Sequence, residues 1–219
     1  MNKELMQRLL SSLIIFPILL FVIIKGSYFF YSLIFICFFI SVYEWLNMKI
    51  SNFIKISGIL FLLCSFYTIF QMRITFNNEF WPLLLVLLTC ILTDIGGFIF
   101  GKIIKGPKLT KLSPNKTFAG VFGSYFLCAI FILLIIKFNF SNDNYLINLV
   151  FFVFLISSVS QIGDIIISYF KRISDLKDTG KLIPGHGGLL DRIDGMIFSF
   201  PVAYILLLNE FFRLILWNQ

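Results

Sequence analysis

The stretch Trp81-Pro-Leu-Leu-Leu-Val-Leu-Leu-Thr-Cys90-Ile-Leu-Thr-Asp94-Ile-Gly96-Gly97-Phe-Ile-Phe-Gly101 holds a single charged side chain, Asp94, in an otherwise apolar run. About 20 helical residues cross a hydrocarbon core roughly 30 Å thick, so this run is long enough to span a bilayer. Asp94 stands seven residues before Gly101, which at 1.5 Å per residue places it roughly 10 Å below that end. A lone carboxylate at such depth is costly. It normally faces a bundle interior or a watery cavity and marks a substrate or ion path, the plain alternative being a structural hydrogen bond. Gly96, Gly97 and Gly101 beside it read as sites of close helix packing.

Similar apolar runs recur on both sides. With 59% hydrophobic and 13% charged residues and a mean hydropathy of +0.95, the chain lies far from a soluble domain, in which about 25% of residues are charged. Candidate spans fall at 9–24, 28–46, 54–72, 81–101, 118–136, 145–167 and 195–217, and the expected fold is an all-α, polytopic membrane bundle of about seven helices. The first run, preceded by Lys3 and Arg8 and broken by Pro17, has no small-residue cleavage site before Lys25 and reads as a retained span. The chain divides in sequence into an N-terminal membrane region, 1–80, with three spans, and a site-bearing region, 81–219, with four. Cys37, Cys64, Cys90 and Cys128 all lie in apolar runs without metal-site spacing and read as packing residues.

With the N-terminus in the cytoplasm, 14 of the 18 basic residues fall in inside segments, leaving Lys25, Arg73, Lys137 and Arg213 outside. That is the asymmetry of the positive-inside rule, and it places the polar loops 102–117 and 168–194 on the cytoplasmic side. Topology with some attraction to anionic headgroups accounts for Lys49 and Lys55 but explains too little of the two long loops, and no nucleic-acid partner is expected.

The loop Gly101 to Thr117 carries five lysines. Ser113 is a natural N-cap and Pro114 a natural first helical residue, so the helix start, with Lys116 and Thr117 in its first turn, reads as an anion seat. No Walker sequence is present. The sixth span ends in Gly163-Asp164-Ile-Ile-Ile-Ser168-Tyr-Phe-Lys171-Arg172. If the helix continues, residues 164, 168, 171 and 172 share a face. Beyond it come Lys177-Asp178 and Ile183-Pro-Gly-His186-Gly187-Gly188-Leu-Leu-Asp191-Arg192-Ile-Asp194. Asp164, Asp178, Asp191 and Asp194 have the oxygen chemistry of magnesium ligands, which act with substrate phosphates. Gly185, Gly187 and Gly188 allow close backbone approach to a ligand, and His186 is a candidate phosphate donor or proton carrier. Capping and surface ion pairing are the plain alternative for the aspartates, and Asp175 fits that alternative best.

The run from Ser168 to Asp194, through its Lys-Arg, Lys-Asp, Pro-x-His-Gly-Gly and Asp-Arg-x-Asp elements, resembles the signature of phosphatidate cytidylyltransferases. The resemblance extends to Asp94, Ser113-Pro-Asn-Lys-Thr117 and Gly163-Asp164, covering roughly residues 90–200, while the first three spans match only in hydropathy. Ala119 stands where many relatives have glutamate, and the chain is shorter than typical bacterial members, which points to fewer N-terminal spans. The resemblance implies cytidylyl transfer from CTP to phosphatidate, with magnesium required, a homodimer, and a bacterial inner-membrane location with the site facing the cytoplasm. It implies metal binding by Asp178, Asp191, Asp194 and Asp164, and phosphate or catalytic roles for Lys171, Arg172, Lys177, Arg192 and His186. Substrate contacts fall to Asp94, Ser113, Lys116, Thr117, Ser168, Gly187 and Gly188.

Two other readings compete. A transporter would use Asp94 and Asp164 as an ion relay, but both lie toward one end of their helices, and no paired broken helices or inverted repeat is seen. A CDP-alcohol phosphotransferase would need an Asp-Gly-x-x-Ala-Arg segment, which is missing.

Overall fold

The computed structural model describes residues 17–77, 79–109, 116–139, 143–182 and 187–209. Residues 17–25 are helical, followed by α1 (Ser27–Leu46), α2 (Asn52–Thr75), α3 (Trp81–Ile103), α4 (Phe118–Asn139), α5 (Asp143–Ile173), the single turn α6 (Leu190–Ile193) and α7 (Met196–Leu208). Five helices, α1 to α5, are long and apolar enough to cross a membrane, and α7 is a shorter apolar helix containing Pro201. The chain is an all-α, multi-pass membrane protein. The first and last expected spans, 9–24 and 195–217, run partly outside the described residues. Among the described residues there is no strand, only one antiparallel bridge between Lys108 and Thr117.

Helix ends follow local chemistry. Ser51 caps α2 by accepting from the Ile54 N–H. α5 runs six residues past the expected end at 167, so the expected loop 168–194 begins in helix. Lys171 and Arg172 in its last turn suit the helix C-terminus. It stops where Asp175 adopts a left-handed φ of 55°, with Asp175 N–H donating to Arg172 O and Leu176 N–H to Lys171 O. That paired closure is a Schellman cap with aspartate in the place usually held by glycine, so the capping reading of Asp175 holds. At 31 residues, α5 is about 46 Å long and reaches well beyond the hydrocarbon core.

The chain forms two compact units: Met1–Leu83 with Phe170–Asp194, and Leu84–Tyr169 with Gly195–Gln219. In the first, Arg73 is buried and donates to the Ile23 carbonyl, while Trp45 meets the Phe170 ring edge-on at 5.1 Å and donates from its indole N–H to Lys55 O.

In the second unit, the α3 glycines meet α4 as the sequence implies. A Cβ on Gly97 would stand 3.2 Å from Ser124 Oγ, one on Gly101 3.2 Å from Thr117 Oγ1, and one on Gly96 would strike the Gly123 carbonyl. Small residues let the two backbones touch, as apolar attraction between helices is weak in lipid. Buried hydroxyls supplement that packing: Thr93 donates to Ser157 Oγ at 2.8 Å, and Ser124 to the Thr93 carbonyl at 2.6 Å.

Candidate functional site

In the second unit, Lys116 pairs with Asp164 at 2.5 Å and also donates to the Gln161 carbonyl. Ser168, one turn along α5, donates to the other Asp164 oxygen at 3.3 Å. The pair is partly open, with side chains 23% and 27% exposed, which suits groups that exchange partners with an anionic ligand.

The expected cap at Ser113 and Pro114 lies outside the described residues. Among the described ones α4 starts at Phe118, and Thr117 caps it by accepting from the Gly120 N–H at 3.1 Å. Lys116 and Thr117 therefore precede the helix instead of forming its first turn. The cause is pairing within the loop: Leu109 N–H donates to Lys116 O and Phe118 N–H to Pro107 O, which keeps 116 and 117 extended.

In the first unit the centre is Asp191. Its Oδ1 accepts from Lys171 at 2.8 Å, and its Oδ2 accepts from Thr179 N–H at 2.7 Å and Gly188 N–H at 3.0 Å. The Thr179 hydroxyl lies 3.0 Å from Asp191 Oδ2 and 2.9 Å from Glu44 Oε2, and its one proton serves one of them at a time. Glu44 also accepts from Leu189 N–H at 2.9 Å and Leu190 N–H at 2.8 Å. The Lys171–Asp191 pair is nearly closed, with side chains 12% and 5% exposed.

Neither Glu44 nor Thr179 is among the residues expected from the sequence. The signal for Glu44 was nevertheless there, because it is the only charged residue in α1, the same kind of interruption that marks Asp94. Gly188, expected to admit a ligand, admits Glu44: a Cβ there would lie 2.6 and 2.7 Å from the two Glu44 oxygens. Gly187 has φ 87°, and a Cβ on it would sit 3.0 Å from Asp191 Oδ2 and 3.2 Å from Asp178 Cβ, so Asp178 and Asp191 flank this residue.

Arg172, Lys177, Asp178 and Arg192 are exposed, and Asp194 is buried. Asp94 is exposed on α3. His186 and Gly185 lie outside the described residues. Among the described residues no three His, Cys, Asp or Glu side chains converge into a metal cage. Asp178 and Asp191, on either side of Gly187, are the residues that would hold a magnesium ion, which needs only one or two protein carboxylates and completes its shell with water and substrate phosphates.

Comparison with known proteins fits this chemistry. The cytidylyltransferase family profile matches residues 55–209. A phosphatidate cytidylyltransferase of Rickettsia conorii is 32% identical over 209 residues, covering 91% of this chain and 89% of the relative. One of Rickettsia felis is 34% identical over 217 residues, covering 94% and 93%. One of Staphylococcus epidermidis is 40% identical over 119 residues, 54% of this chain and 45% of the relative. The Rickettsia matches run through the N-terminal spans, so the likeness there goes beyond hydropathy. The chain belongs to the cytidylyltransferase family.

Proposed function

We propose that this protein transfers the cytidylyl group of CTP to phosphatidate, giving CDP-diacylglycerol and pyrophosphate. The observation that carries the reading is the match to relatives bearing that name over nine-tenths of the chain, together with the Lys171–Asp191 pair at the heart of the signature loop. No observation favours the transporter.

In this reaction a phosphatidate phosphate oxygen attacks the α-phosphorus of CTP. The bond to the β-phosphate bridge oxygen breaks, and its electron pair leaves with pyrophosphate. The nucleophile is already an anion, so the site's main task is to overcome repulsion between two polyanions and align them. Arg172, Lys177 and Arg192, exposed on the first unit, seat phosphates there, and Lys171 is held in place by Asp191. Lys116, with Ser168 and Asp164, offers a cation to substrate in the second unit, and Ser113, Thr117, Asp94, Gly187, Gly188 and His186 remain proposed contacts. Asp178 and Asp191 are the first candidates to hold magnesium, followed by Asp164 and Asp194. The ion would neutralise phosphate charge as it moves toward pyrophosphate.

Seven spans, a cytoplasmic N-terminus, a bacterial inner-membrane location with loops 102–117 and 168–194 facing the cytoplasm, and a homodimer complete the proposal. The distribution of basic residues supports that orientation. A cysteine introduced at position 106 should react with an impermeant thiol reagent only in opened cells, and labelling of intact cells would reverse the orientation. For the reaction, CTP labelled at the α-phosphate should deliver its label to an organic-extractable lipid only when phosphatidate is supplied. If the label stays in the aqueous phase with folded protein in lipid, the proposal fails.

A further inference from the structure

Glu44 is 3% exposed, and among the described residues no basic side chain pairs with it. A buried carboxylate without a counter-ion is costly unless fixed donors replace its water. Here three do: the N–H groups of Leu189 and Leu190 and the Thr179 hydroxyl. Gly180 and Gly188 leave the room, since a Cβ on either would lie 2.6 Å from a Glu44 oxygen. The three donors come from two separate stretches of the signature run, Thr179 and Leu189–Leu190, 135 to 146 residues away in the chain. Thr179 in turn gives its backbone N–H to Asp191, whose other oxygen takes Lys171. Glu44 is thus the far end of a continuous chain of contacts that sets where Asp191 and Lys171 stand. It lies outside the residues matched by the family profile, 55–209.

We propose that Glu44 is a positioning residue for cytidylyl transfer, holding the signature loop closed at Thr179, Leu189 and Leu190 so that Asp191 and Lys171 keep their geometry. Its effect on turnover rests on the reaction proposed above. A carboxylate is required because both oxygens accept. Glutamine keeps the size but turns an NH2 toward at least one of these donors, leaving an N–H or hydroxyl unmet.

The test uses the full chain in lipid nanodiscs, comparing wild type with Glu44→Gln, Thr179→Val, Thr179→Ser and the double variant Glu44→Gln/Thr179→Val. In Glu44→Gln, amide exchange at 188–192 should rise by about tenfold while α2 keeps its protection, as expected for a local opening. Turnover should fall about 10- to 100-fold with KM for CTP little changed, as expected when reacting groups are misplaced by about 1 Å. Thr179→Ser should retain wild-type turnover, and the double variant should be little worse than Glu44→Gln, because the two residues act through one contact. Unchanged exchange at 188–192, wild-type turnover in Glu44→Gln, or protection lost equally across all helices would each overturn the proposal. If the wild type itself forms no lipid-bound cytidylyl product, the reaction is refuted, and exchange at 188–192 alone still decides whether Glu44 holds the loop.

Discussion

Asp191 and Asp164 each meet a lysine, yet the two carboxylates sit in different settings. Asp191 is 5% exposed and takes contacts from Lys171, two backbone N–H groups and the Thr179 hydroxyl. Asp164 is 27% exposed and takes Lys116 and Ser168. In the first setting most acceptor positions are spent on the protein's own loop, so the carboxylate is a fixed hub with Oδ1 alone left to share with a cation. In the second, the partners are partly exposed side chains, free to be redrawn around a substrate. The first setting suits a rigid frame, and the second suits a cation that exchanges partners with an anionic ligand.

The difference is sharpest at Asp191. Asp191→Ala strands a nearly buried Lys171 and unpairs the N–H groups of Thr179 and Gly188, so it should lower stability by about 3–5 kcal/mol, the cost of breaking a buried pair from one side. It should abolish product formation as well. Thermal unfolding in detergent beside a product assay would check this, and a variant as stable as wild type would break the contrast. The smaller stability effect is expected at the open pair. Asp164→Asn should change stability by no more than about 1 kcal/mol, as for solvent-screened pairs, while activity falls out of proportion to that change. Equal losses of stability at Asp164 and Asp191 would mean that the two settings do not differ.

How far the sequence anticipates these features depends on the range of the interaction. Spans are legible because a long apolar run satisfies the bilayer by composition alone, and α1 to α5 fall close to their expected places. Ends are less so: α5 continues to Ile173 because Lys171 and Arg172 favour a C-terminal turn and Asp175 supplies the stop. The place of Lys116 and Thr117 ahead of α4 is not legible, because the pairing of Lys108 with Thr117 that holds them out of the helix is no feature of local chemistry. Lys171, Asp178 and Asp191 stand out because they belong to a dense motif. Glu44 belongs to none, and its partners lie too far along the chain for any spacing to show them.

The central claim is that the signature loop is the seat of cytidylyl transfer. The most direct measurement follows pyrophosphate release by the purified protein with magnesium, CTP and phosphatidate, beside Asp178→Asn. Asp178 is exposed and next to Gly187, so its substitution should leave the fold intact. Release should need both substrates and disappear in Asp178→Asn at unchanged thermal stability. Release that persists in the variant, or none from folded wild type in lipid, would contradict it.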